Sequence, residues 1–180
     1  MNCYEKAIKI QPNNSAAYNN LGNTLKELGE YQKAISSYEK AIQINTNYVD
    51  AYYNLGIILS ELGEYQKAMS SYEKVIQINP NYANAYYNLG NTLKELGEYQ
   101  KAMSSYEKVI QINPNHIDAH NNLGIIFNEL GENQKAMSCY EKAIQINHNY
   151  IDAHNNLGII FKELGEYQKA MSSYEKVIQI

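Results

Sequence analysis

Residues 61–78 read ELGEYQKAMSSYEKVIQI, and the same letters return unchanged at 95–112 and 163–180. Working outward from these copies, the whole chain falls into a 34-residue period. With position 1 placed at Ser15, complete repeats span 15–48, 49–82, 83–116 and 117–150. A fifth repeat, 151–180, stops at position 30, and residues 1–14 match positions 21–34. A fixed period of this length marks stacked supersecondary units in place of one globular core. Residues 1–180 therefore read as a single array, with 1–14 as the second helix of a partial repeat.

Each repeat reads as two helices. In the first, Ala51, Leu55, Leu59 and Leu62 recur at i, i+4, i+8 and i+11, with Tyr52 and Gly56 beside them. Gly63 supplies a helix stop, and Glu64 is well placed against the dipole of the helix that follows. In the second, Tyr65, Ala68, Met69, Tyr72, Val75 and Ile76 form one apolar stripe. Asn79-Pro80-Asn81 ends it, because proline cannot continue a helix. Gly22, Gly56, Gly90, Gly124 and Gly158 lie inside the first helices, where each costs about 1 kcal/mol against alanine. Close approach of a neighbouring backbone offsets that cost, with Ala34, Ala68, Ala102, Ala136 and Ala170 expected as the small partners.

The pattern aromatic-x-x-Leu-Gly-x-x-apolar, then Ala-x-x-x-Tyr, then Pro is carried by Tyr52, Leu55, Gly56, Leu59, Ala68, Tyr72 and Pro80. It resembles the tetratricopeptide repeat, and the resemblance covers the entire chain. Tyrosine or histidine stands where the family has tryptophan, and Thr46 and His148 replace the proline; these changes are expected to weaken single junctions and not the fold. The resemblance implies an all-α fold, a right-handed superhelix of antiparallel helix pairs whose concave wall is built by the first helices. It also implies a protein–protein interaction module, a scaffold holding an extended peptide or protein segment in that groove.

Position 6 is asparagine throughout: Asn20, Asn54, Asn88, Asn122 and Asn156. Asparagine is a mediocre helix former, and its amide both donates and accepts, which suits a peptide backbone laid along the groove. At about 1 kcal/mol net per hydrogen bond, the row alone binds weakly once association entropy is met. Tyr53 and Tyr87 at position 5, Asn19, Asn121 and Asn155 at the same position elsewhere, and Asn23 and Asn91 at position 9 are expected to add the rest. The competing account is a polar surface copied by duplication. No basic residue stands at positions 2, 5 or 6, so the grip that related modules place on acidic chaperone tails is not expected.

Net charge is −4 with acidic and basic residues interleaved, which offers no patch for nucleic acid or an anionic membrane. A hydrophobic share of 44% with regular spacing argues against disorder. Glu5, Lys6 and Lys9 interrupt the N-terminus where a signal peptide needs an apolar core. Cys3 and Cys139 share position 23 four repeats apart. Helices stack at about 8–10 Å and a disulfide needs Cα atoms within about 7 Å, so two free thiols in the cytoplasm or another reducing compartment are expected.

His120 and His154 stand at position 4, where tyrosine stands elsewhere, and read as packing residues with one satisfied nitrogen. His116 and His148 belong to turns and share no metal-ligand spacing with the cysteines. No nucleophile, acid–base pair or phosphate loop emerges, so no catalysis, metal or cofactor is expected. An alternative comes from Asn-Asn-Leu-Gly at 121–124 and 155–158, which with the asparagine row resembles the substrate-selecting arm of O-linked N-acetylglucosamine transferases. Both boundaries cut inside a repeat, as in a segment of a longer array. Were these instead the true ends, an uncapped apolar face on Tyr174, Val177 and Ile178 is expected to favour end-to-end self-association.

Overall fold

The computed structural model describes residues 10–180. The expectations for residues 1–9, including the Cys3 thiol, lie outside them. Ten complete helices and no strand are found among the described residues. They are α1 (Ser15–Glu27), α2 (Tyr31–Ile44), α3 (Val49–Glu61), α4 (Tyr65–Ile78), α5 (Ala83–Glu95), α6 (Tyr99–Ile112), α7 (Ile117–Glu129), α8 (Asn133–Ile146), α9 (Ile151–Glu163) and α10 (Tyr167–Gln179). Contacts divide the chain into two compact units, Met1–Leu96 and Gly97–Ile180.

Two turns generate the alternation. After α3, Gly63 takes φ +75°, a left-handed conformation nearly free of cost only to glycine. The Glu64 amide then reaches back to the Leu59 carbonyl at 2.8 Å and the Gly63 amide to Ser60 at 3.0 Å. These two hydrogen bonds satisfy carbonyls that the helix end leaves open. The other turn relies on asparagine. Asn79 Oδ1 accepts the Asn81 amide at 3.2 Å, and Asn113 does the same for Asn115. Asn45 and Asn147 repeat the bond at 3.1 and 3.0 Å beside Thr46 and His148. Loss of proline at those two junctions therefore leaves the turn intact, because the asparagine side chain sets it.

In the first unit α1, α3 and α5 lie side by side as one layer, and α2 and α4 form the other. Each second helix packs on its own first helix and on that of the next repeat. Ala34, Tyr38 and Ala41 of α2, Ala51 and Ile58 of α3, and Ala68, Tyr72 and Val75 of α4 are sealed from solvent. In the second unit α7 and α9 form one layer against α6, α8 and α10. Its core holds Ala119, Ile126, Ala136, Tyr140, Ala143, Ala153 and Ile160.

The interior glycines correct one expectation. A Cβ built on Gly56 would lie 2.5 Å from Tyr72 Cε1, and those on Gly22, Gly124 and Gly158 would strike Tyr38, Tyr140 and Tyr174 equally closely. Thus the close neighbour is the flat tyrosine ring at position 24 of the same repeat, and not an alanine or a bare backbone. Leu62 also departs from its stripe. It is the residue capping α3 and is 38% exposed, while Ile58 takes the buried place.

Candidate peptide-binding face

Positions 2, 5, 6, 9, 12 and 13 of the first helices share a face, and positions 5, 6, 12 and 13 are linked across repeats by one sequence interval. Asn54 Nδ2 donates to Asn19 Oδ1 at 3.0 Å. Asn88 Nδ2 donates to the Tyr53 hydroxyl at 3.2 Å, and Asn156 Nδ2 to Asn121 Oδ1 at 3.0 Å. Lys26 Nζ meets Glu61 Oε1 at 2.7 Å. All four pairs are 35 residues apart, one repeat plus one. Neighbouring first helices are thus offset so that position 6 falls beside position 5, and position 13 beside position 12, of the repeat before.

The asparagine row is therefore a row of staples before it is anything else. Asn19 and Asn121 are only 4% exposed and would be costly to leave without a partner. Asn54, Asn88 and Asn156 are half-buried, as are Asn20 and Asn122. Asn54, Asn88 and Asn156 each give one N–H to the neighbouring repeat, and the Asn54 and Asn156 carbonyl oxygens carry no bond among the described residues. Asn23 Oδ1 accepts the Tyr38 hydroxyl at 2.8 Å. Tyr87, Asn91 and Asn122 have partners too.

Tyr53 sits in an aromatic cluster, its ring 5.2 Å from that of Tyr82 and 6.2 Å from that of Tyr72. Burial raises the Tyr53 and Tyr72 hydroxyls above the ordinary tyrosine range, opposed by the bond each makes with Asn88. At the junction before that of Tyr53, where position 5 is Asn19, the face carries a depression. Asn23, Lys26, Glu27, Tyr38, Asn54 and Ile57 line this depression of about 350 Å³ between α1 and α3.

Charge is unevenly shared between the layers. The five first helices carry eight carboxylates against three lysines, whereas the chain as a whole stands at −4. All the excess negative charge thus belongs to the first helices, with Asp50, Asp118 and Asp152 exposed near their starts. Tyr150 donates its hydroxyl to Asp118 Oδ1 at 2.7 Å. Each second helix begins with an internally balanced pair, such as Lys67 with Glu64.

The histidines lie where packing needs them. His120 Nε2 is 2.9 Å from the Pro114 carbonyl, and His154 Nε2 is 2.9 Å from that of His148. His116 Nδ1 accepts the Ala119 amide at the start of α7. Among the described residues no group of histidine, cysteine or carboxylate side chains is arranged to hold a metal. No helix among the described residues is long and apolar enough to cross a membrane. Cys139 is a free, half-buried thiol, which burial pushes up to about 11.

Sequence comparison settles the family. Models described as TPR repeat match residues 22–63, 58–97 and 124–165. Two described as tetratricopeptide repeat match 83–116 and 151–180, and 3–36 and 105–137. The chain belongs to the tetratricopeptide repeat family. No curated protein matches this tetratricopeptide chain. Among solved structures it is similar to a crystal structure of MamA, at 28% identity and a TM-score of 0.83, over 88% of this chain and 92% of that one. MamA from Desulfovibrio magneticus RS-1 gives 24% and 0.84, over 92% and 93%. YrrB, described as a TPR protein with an unusual peptide-binding site, gives 23% and 0.81, over 99% and 92%. The last two likenesses are of fold.

The residues that sequence reading passed over are Lys26 and Glu61 as a bridge between repeats. Opposite charges one repeat plus one residue apart were the available signal.

Proposed function

We propose that this tetratricopeptide array is a protein-interaction scaffold that holds an extended segment of a partner along the face of its first helices. The observation that carries the reading is the state of the asparagine row. Asn54 and Asn156 each give one N–H in fixing one repeat against the next, so their carbonyl oxygens are held in place without further ordering. Pre-set acceptors bind at lower entropic cost than mobile ones. They suit the backbone N–H groups of a chain that has no secondary structure of its own. Within each unit the layer of first helices is the proposed floor of the groove. Asn20, Asn54, Asn88, Asn122, Asn156, Tyr53, Tyr87, Asn23 and Asn91 are its proposed lining. The chain acts by binding and carries out no chemistry itself. Its free thiol fits a reducing compartment.

Selection from a library of random ten-residue peptides displayed on the purified chain tests the reading. Recovery of extended binders whose affinity falls when Asn54 and Asn156 are changed to alanine, which removes the acceptor oxygens, in protein that remains folded, supports it. Binders insensitive to both changes refute it.

A second reading has its own observation. Tyr140 and Ala143 of α8 are buried, whereas their counterparts on α10, Tyr174 and Val177, are only half-buried and Ile178 beside them is 84% exposed. That face is the one on which another helix pair of the same kind docks, so arrays are proposed to associate end to end through it. Light scattering that shows a mass independent of concentration excludes this association.

A further inference from the structure

The depression between α1 and α3 differs from the rest of the face, and its difference has a chemical direction. At the junction of the second and third repeats, Tyr53 packs its ring against Tyr82 and Tyr72. At the junction before it, Asn19 stands at that position, withdrawn and 4% exposed, and the depression is open.

Among the described residues its lining sets one carboxylate without a partner beside open acceptor oxygens. Asn54 gives one N–H to Asn19 and offers its carbonyl oxygen. Tyr38 has given its hydroxyl proton to Asn23 and keeps acceptor lone pairs. Lys26 is engaged with Glu61, while Glu27 has no ion pair among the described residues. Ile57 supplies apolar surface. A guest that satisfies this set brings a cation, several N–H donors and an aliphatic stem, which describes lysine or arginine.

We infer that this depression is a subsite for one basic side chain, lysine or arginine, of the extended segment held on the first-helix face. The inference rests on the scaffold reading above and narrows it to a class of partner. The stem lies against Ile57 and the head group takes the Glu27 carboxylate and the Asn54 carbonyl oxygen. The charges of Glu61 and Glu27 reach the lining, since after burial they are the causes that push the Tyr38 hydroxyl up to about 12. The wider imbalance of the first helices, eight carboxylates to three lysines, attracts the same kind of partner.

The test uses the full chain and peptides selected from the random ten-residue library. The expected outcome is enrichment of one lysine or arginine at a fixed place in the selected peptides. Replacing that arginine by citrulline, which keeps the shape and loses the charge, is expected to weaken binding about tenfold. The difference between the two peptides should largely vanish in Glu27→Gln and persist in Glu39→Gln, an equal charge change on a second helix. Selected peptides with no basic preference, or an arginine-to-citrulline difference unchanged by Glu27→Gln, overturn the subsite and leave the scaffold standing. Failure to select any peptide overturns the scaffold and the subsite with it.

Discussion

Gly56 lies under the ring of Tyr72, so close that a methyl group added at its Cα would be 2.5 Å from the ring carbon Cε1. This contact closes the two helices of one repeat onto each other, and its equivalents bring Tyr38 onto Gly22 and Tyr140 onto Gly124. Gly56→Ala gains about 1 kcal/mol of helix propensity but forces a well-packed ring aside, an overpacking cost of about 1–3 kcal/mol. Net destabilisation is expected by urea titration, and less of it in a Tyr72→Val background, where room exists for the methyl group. An equal cost in both backgrounds would place the strain elsewhere.

Gly63→Ala should behave differently. Nothing lies within 4 Å of the added methyl, and the residue sits at φ +75°. The cost is then backbone strain alone, about 1–2 kcal/mol, and no substitution at Tyr72 should relieve it.

The Asn19–Asn54 pair tests the stapling of repeats. Each single alanine change is expected to cost about 1 kcal/mol or more, since Asn54→Ala leaves a buried carbonyl on Asn19 without its donor. The double change should cost less than the two singles together, with a coupling of about 0.5–1.5 kcal/mol in a double-mutant cycle. Strict additivity would mean that the amides do not interact.

Much of this was legible in the sequence, and the reason is physical. Helix starts and stops are written in local chemistry, so Gly63, Glu64 and the Asn79-Pro80-Asn81 turn marked the ends of α3 and α4 without any tertiary information. Tyr72 and Ala68 announced themselves through helical spacing. What could not be read was which residue lies beside which across repeats. The 35-residue interval joining Asn54 to Asn19 and Glu61 to Lys26 follows from the offset between stacked helices, which no single repeat encodes. For the same reason Gly56 was assigned an alanine neighbour. Sequence spacing shows that a small residue is needed but not that a ring at position 24 fills the space.

Alkaline pH should unfold the chain through its buried tyrosines. Tyr38 is pushed up to about 12, and Tyr72 and Tyr140 are raised further, all three chiefly by burial. The unfolded chain loses these protons near pH 10 while the folded chain keeps them, so stability declines as pH rises above about 10. Denaturant midpoints followed by circular dichroism are expected to be flat with respect to these groups from pH 7 to 9 and to fall by pH 11. A midpoint unchanged at pH 11 would contradict the burial of these hydroxyls.

Cys139 offers an independent probe of the second unit. With its thiol at about 11 instead of 9, the thiolate available at pH 8 is reduced roughly a hundredfold, and alkylation slows in proportion. In a Cys3→Ser background, iodoacetamide should label the native protein far more slowly than the denatured one. Equal rates would show the thiol to be open to solvent.

The central claim is that an extended segment lies along the first helices. The most direct measurement is nuclear magnetic resonance of the labelled chain titrated with a selected peptide, following backbone and side-chain amides together. The claim predicts shifts concentrated on α1, α3, α5, α7 and α9, including the Asn54 and Asn156 side-chain amides, with α2, α4 and α8 nearly still. Shifts gathered instead on the second helices, or confined to the exposed face of α10, would contradict it.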